Sequence, residues 1–137
     1  MNSIDFVTTD LCKNSLEFQG QMENRFFPIG DLPQEPLAQP YAVYGSTRSP
    51  NYSKDREFLA YTGAVVFNLY GNNLKGLHDI TETLEHLFHG YDGELVANGK
   101  TIQVDDITFE GTELPEYDED QKMFLIVCNF SYSLQLF

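Results

Sequence analysis

The side chains best suited to chemistry are three histidines, His78, His86 and His89, which sit on or beside one segment with Glu82 between them. At helical spacing His78, Glu82, His86 and His89 share the face opposite the leucines, and Glu82, His86 and His89 are near enough in register to share a metal ion. Their spacing is not the His-Glu-x-x-His of a metalloprotease helix, and no neighbouring segment supplies a pocket. A solvated helix face is the ordinary use of such residues, so no metal and no other cofactor is expected.

Eight carboxylates fall between Asp105 and Asp120. A glycosidase pair needs two carboxyl groups in different surroundings on either side of a cleft, whereas Glu113, Glu116, Asp118, Glu119 and Asp120 crowd into one stretch. A calcium loop needs an ordered ligand spacing with a glycine at its sharp turn, which Asp118-Glu119-Asp120 lacks. The stretch therefore reads as a solvated connection or a charged contact surface. Its natural counterpart is Arg48, Lys54 and Arg56, three of only eight basic residues in the chain. Opposite patches on one surface favour head-to-tail association of copies; the alternatives are pairing within one subunit or simple solvation. There is no Gly-x-Ser-x-Gly, phosphate-binding glycine loop or Cys-x-x-Cys, and no enzymatic activity is expected.

These residues belong to a chain of 137 residues with 42% apolar and 14% aromatic side chains, enough for one domain with a proper core. Its formal charge of −13 disfavours general binding to a phosphate backbone. Cys128 falls on an apolar strand face, where a thiol acts as a small hydrophobe. The first twenty residues hold no apolar block of signal length, so a reducing cytoplasm is expected, although a Cys12–Cys128 bridge stays open as an alternative. No stretch approaches the roughly 20 apolar residues of a membrane span.

Ser3 is placed to cap a short N-terminal helix carrying Ile4, Val7, Leu11 and Phe18 at loosely helical spacing. From Arg25 to Pro40 the prolines at 28, 33, 36 and 40 predict an extended connector that is neither helix nor central strand. Tyr41 to Tyr44 is a short strand, Gly45 to Arg56 a polar loop, and Glu57 to Tyr70 a long strand with two apolar faces, suited to cover on both sides and either bent or closely approached by another backbone at Gly63. Leu74, Leu77, Ile80, Leu84, Leu87 and Phe88 predict a helix over Leu74 to His89, with a cap offered by Gly71-Asn72-Asn73 and an end at Gly90. Asp92-Gly93 and Asn98-Gly99 are turns, followed by a strand from Lys100 to Phe109. The closing strand, Met123 to Phe137, puts Phe124, Ile126, Cys128, Phe130, Tyr132, Leu134 and Leu136 on one face. Its other face runs from Met123, Leu125 and Val127 to Asn129, Ser131, Ser133 and Gln135. The order of elements predicts an α+β fold, a mostly antiparallel sheet with helices packed on one face.

This arrangement resembles the tail terminator, or tail completion (head-tail joining), proteins of long-tailed bacteriophages. The likeness rests on Arg25-Phe-Phe-Pro28 leading to Pro40-Tyr-Ala-Val-Tyr44, on the strand Tyr61 to Tyr70 followed at once by the helix Leu74 to His89, and on the acidic stretch before a long closing strand. It implies a single tail-terminator-like domain over 1–137 and a structural, non-enzymatic role in the virion tail, assembled in the host cytoplasm. Such proteins form a ring, usually a hexamer, at the head-proximal end of the tail tube, stop its polymerisation and meet a head-tail connector or stopper protein. DNA passes through the ring without specific binding, and no membrane is involved. In such a ring the loop Gly45 to Arg56 would reach a neighbour's carboxylates between Glu113 and Asp120. Another head-tail connector or tube-like virion subunit, or a small acidic ligand-binding domain or enzyme, are the remaining readings.

Overall fold

The computed structural model describes residues 2–34 and 37–137, so the connector proline Pro36 lies outside the described residues. The chain opens with α1 (Ser3–Asn14), and its cap is Asn2 rather than Ser3: the Asp5 carboxylate accepts the Asn2 backbone N–H at 2.9 Å. A second short helix, α2 (Leu16–Met22), restarts at Ser15, whose hydroxyl accepts the Phe18 N–H, and ends at Glu23 in the left-handed region.

The connector begins with an edge strand, β1 (Phe26–Pro28), and one 3₁₀ turn over Ile29–Asp31. A proline at the end of an edge strand costs no ladder bond, which reconciles β1 with the connector's composition. Next come β2 (Tyr41–Ser46), β3 (Ser49–Tyr52) and β4 (Phe58–Gly71). The segment expected to be a polar loop from Gly45 to Arg56 thus contains the end of β2 and all of β3; only Thr47, Arg48 and the turn that begins at Ser53 lie outside strands. Asn73 caps α3 (Leu74–Phe88) by accepting the Gly76 N–H. Then follow β5 (Glu94–Ala97), β6 (Lys100–Thr112), β7 (Glu116–Asp118) and β8 (Met123–Leu136). Asn98 and Gly99, both at positive φ, make the two-residue hairpin turn between β5 and β6.

Among the described residues three helices and eight strands form an α+β domain built on one sheet, ordered β1-β2-β4-β8-β6-β5. Every pairing is antiparallel except β1 with β2. β3 continues β2 along the edge of β4, and β7 continues β6 along β8. The centre is the β4–β8 ladder, in register from Tyr61 opposite Leu134 to Gly71 opposite Phe124. On one of its faces Phe67 and Phe130 lie 6.0 Å apart, and Phe88 of α3 packs against both, at 5.6 and 5.5 Å. Thr81 of α3 reaches the Cys128 sulfur on that face, and Thr9 of α1 bonds the hydroxyl of Tyr44, which stacks beside Phe67. The alternate residues Val66, Asn68, Tyr70, Leu125, Val127 and Asn129 are half-buried, so β4 is not covered equally on both sides.

Gly63 marks a close backbone approach, one of the two readings its place in the strand offers. A side chain there would run into the carbonyl of Thr47, the residue at the break between β2 and β3. That carbonyl accepts the Tyr132 hydroxyl at 2.7 Å, while the Thr47 hydroxyl accepts the Ala64 N–H at 3.0 Å. The break is thereby locked to β4 and β8, and it aims β3 and the start of β4 outward. Replacing Gly63 with alanine should destabilise the protein by about 1–3 kcal/mol through overpacking, whereas Gly30→Ala, with open space around it, should stay within about 0.5 kcal/mol. Urea unfolding midpoints at unchanged slope provide the measurement.

Candidate functional site

The basic residues occupy a hairpin arm made of β3, the turn 53–57 and the first residues of β4. Arg48 stands at its base with the guanidinium carbon 4.4 Å from the centre of the Tyr61 ring, a cation–π contact. Lys54 and Arg56 are exposed in the turn, which closes through Ser53 N–H to the Glu57 carbonyl at 2.8 Å and Arg56 N–H to the Ser53 carbonyl at 2.9 Å. Arg56 itself sits at φ 62, a turn conformation held by those bonds. Among the described residues one ion pair forms, Arg25 with Glu23, and Arg48, Lys54 and Arg56 form none there.

The carboxylates lie at the other end of the sheet. What read as an acidic loop includes a strand: β7 pairs Glu116 with Leu125 and Asp118 with Met123. Carboxylates are poor strand formers, and the ladder to β8 overrides that preference. Asp118 has a local task, accepting the N–H groups of Asp120 at 2.9 Å and Gln121 at 3.3 Å to close the turn into β8. Glu113, Glu116, Glu119 and Asp120 are exposed.

The structure therefore does not bring the two sets together within one subunit. Along β8, Leu134 is opposite Tyr61 at the base of the arm and Leu125 is opposite Glu116, nine residues away. At about 3.4 Å per residue that is roughly 30 Å, and the arm points away from the acidic end. Sequence reasoning missed the apolar side chains on the arm: Tyr52, Phe58 and Leu59 are 60%, 42% and 53% exposed. Their position beside a turn of alternating charges, Lys54-Asp55-Arg56-Glu57, was the available signal.

The histidines form no centre, and no group of three or more metal-ligating side chains converges among the described residues. His78, Glu82 and His86 are exposed, and His89 accepts the Phe109 N–H on Nδ1 at 3.0 Å, fastening the end of α3 to β6. Cys12 and Cys128 are separate buried thiols, so they do not form the bridge left open by the sequence. Among the described residues no helix is long and apolar enough to cross a membrane.

No family model matches the sequence, and no curated protein is similar to it. Solved structures share the fold. One is a chain from the virion of a native gene transfer agent particle, with a TM-score of 0.74 at 12% identity over 92% of this chain and 90% of that one. A second, whose name describes no activity, has a TM-score of 0.66 at 14% identity over 100% of this chain and 99% of that one. The fold is thus one that a phage-like particle uses in its virion.

Burial pushes the Tyr44 hydroxyl up to about 12, opposed in part by its bond to Thr9, and burial does the same for Tyr132, opposed in part by Arg48. Cys128 is raised by burial to about 11, against a smaller lowering from Thr81, and burial also raises Cys12. These groups hold their protons more tightly folded than unfolded. Their contribution is therefore complete below about pH 9 and is lost as pH rises toward about 12. Unfolding midpoints in urea should hold level from neutrality to about pH 9 and then fall, with a shallower fall in Tyr132→Phe.

Proposed function

We propose that this protein is a structural, non-catalytic component of a phage-like virion, a tail terminator that caps the head-proximal end of a tail tube, stops its growth and joins it to the head connector or stopper. The overlap with a chain of the gene transfer agent virion, near full length on both sides, carries this reading. The order of elements that resembles tail terminators adds to it. Copies associate in a ring, a hexamer by that resemblance, and DNA passes through without specific binding, in keeping with a net charge of −13.

The placement of charge supports a heterologous ring contact. A ring closes by repeating one head-to-tail contact, so its two halves must lie on different parts of each subunit. The arm with Arg48, Lys54 and Arg56 and the end with Glu113, Glu116, Asp118, Glu119 and Asp120 meet that requirement, lying at opposite ends of the β4–β8 ladder. A connector or tube-like subunit is the second reading, since the same virion likeness serves it equally.

Purified protein added to polymerising tail tubes should arrest them, with the protein at one tube end. Unimpeded growth, or incorporation all along the tube, would overturn the terminator assignment. Within that reading, reversing Arg48 and Arg56 to glutamate should weaken ring formation in low salt. Assembly indistinguishable from the parent would remove the charge pairing but leave the terminator role standing.

A further inference from the structure

The acidic end of the sheet carries a second feature, an apolar groove of about 660 Å³ between the connector and β7. Its floor is the half-buried sheet face: Tyr41 and Tyr70, stacked 4.8 Å apart, with Val43 and Leu125 beside them. Glu116 and Asp118 stand along one wall. An open trough of this kind, apolar below and acidic at the rim, suits a chain segment that carries apolar side chains next to cations.

We infer that this groove is the seat of the hairpin arm of a second copy of the same chain, with Tyr52 and Phe58 on the apolar floor and Lys54 and Arg56 at the Glu116–Asp118 wall. The inference deepens the ring contact proposed above and rests on that reading for its repetition around a ring, though not for the contact itself. Three observations carry it. Tyr52 and Phe58 form an exposed aromatic pair, rings 6.0 Å apart, on a part of the arm that β8 does not pair. The cations beside them have no partner in their own chain among the described residues. The groove lies at the far end of the ladder, roughly 30 Å from the base of the arm at about 3.4 Å per residue, so an arm cannot fill the groove of its own subunit.

Asp55 and Glu57 alternate with Lys54 and Arg56 in the turn, so net attraction at the tip is small. Orientation is set by which charges meet the wall, and the apolar floor supplies the holding force. This separates the inference from a purely electrostatic contact: added salt weakens it modestly, and loss of the apolar side chains abolishes it.

The test is cysteine cross-linking between separately prepared full-length variants, Lys54→Cys and Glu116→Cys, both at exposed positions, while native Cys12 and Cys128 are buried. Mixed under mild oxidation they should give a 54–116 dimer as the main product, and Phe58→Asp placed in the Lys54→Cys chain should remove it while leaving the circular dichroism spectrum unchanged. Dimers joined only through like cysteines, or a mixed dimer no more abundant than the like ones, would overturn the inference, as would persistence of the 54–116 product with Phe58→Asp. A 54–116 product from a protein that fails to arrest tail tubes would keep the arm-in-groove contact and discard the terminator role. Arrest without that product would do the reverse.

Discussion

The pairing of β4 with β8 is the constraint on which the rest depends. Each is a 14-residue strand, and their shared register fixes two things together. It stacks Phe67 beside Phe130 on one face, where Phe88 of α3 closes over both. It also gives the sheet a long axis with unlike ends, because β2 and β3 pair along β4 and β6 and β7 along β8, with β1 and β5 added outside β2 and β6. A one-residue slip of β8 would turn Cys128 and Phe130 outward and put Asn129 and Ser131 beneath α3, so the register is held by the aromatic core.

From this axis follows the separation of charge. Roughly 30 Å is several Debye lengths at physiological ionic strength, where screening acts over about 8 Å. The arm and the carboxylates therefore contribute almost nothing to each other's energy within a subunit. The protein keeps 21 acidic side chains against 8 basic ones and makes a single ion pair among its described residues. Stability rests on the aromatic and aliphatic core, and the charges are left available for recognition.

What the sequence revealed depended on how much of an element's pattern was its own. α3 and β8 announce themselves because their apolar repeats extend over four turns and fourteen residues. β3, β5 and β7, of four, four and three residues, carry no periodicity of that length, and each exists because a longer strand offers it a ladder. The expected single N-terminal helix through Phe18 is two, because Ser15 ends the first and its hydroxyl caps the second, a break that the loose stripe of Ile4, Val7, Leu11 and Phe18 does not mark. The acidic and basic clusters were legible as composition, but their placement at opposite ends was not, since it depends on the β4–β8 register. Phe58 and Leu59 misled in the other direction. They extend the apolar alternation of β4, yet they occupy the part of the strand that runs out along the arm, beyond the cover of the helices.

The same geometry sets how copies of such an acidic chain can meet. With a charge of −13 each, two subunits repel at long range, and salt relieves that repulsion. The local pairing of arm cations with rim carboxylates has the opposite salt dependence. The two trends partly cancel, so ionic strength is a weak lever on a contact that has both. An apolar seat is nearly indifferent to moderate salt, and in the proposed contact Tyr52 and Phe58 are the side chains placed to provide one. In that contact net repulsion would exclude misaligned encounters, in which carboxylates face carboxylates, while apolar burial would hold the aligned one. A strongly acidic surface with a small basic arm would then act as a device for orientation, with the aromatic residues of the arm supplying the adhesion that the charges alone cannot.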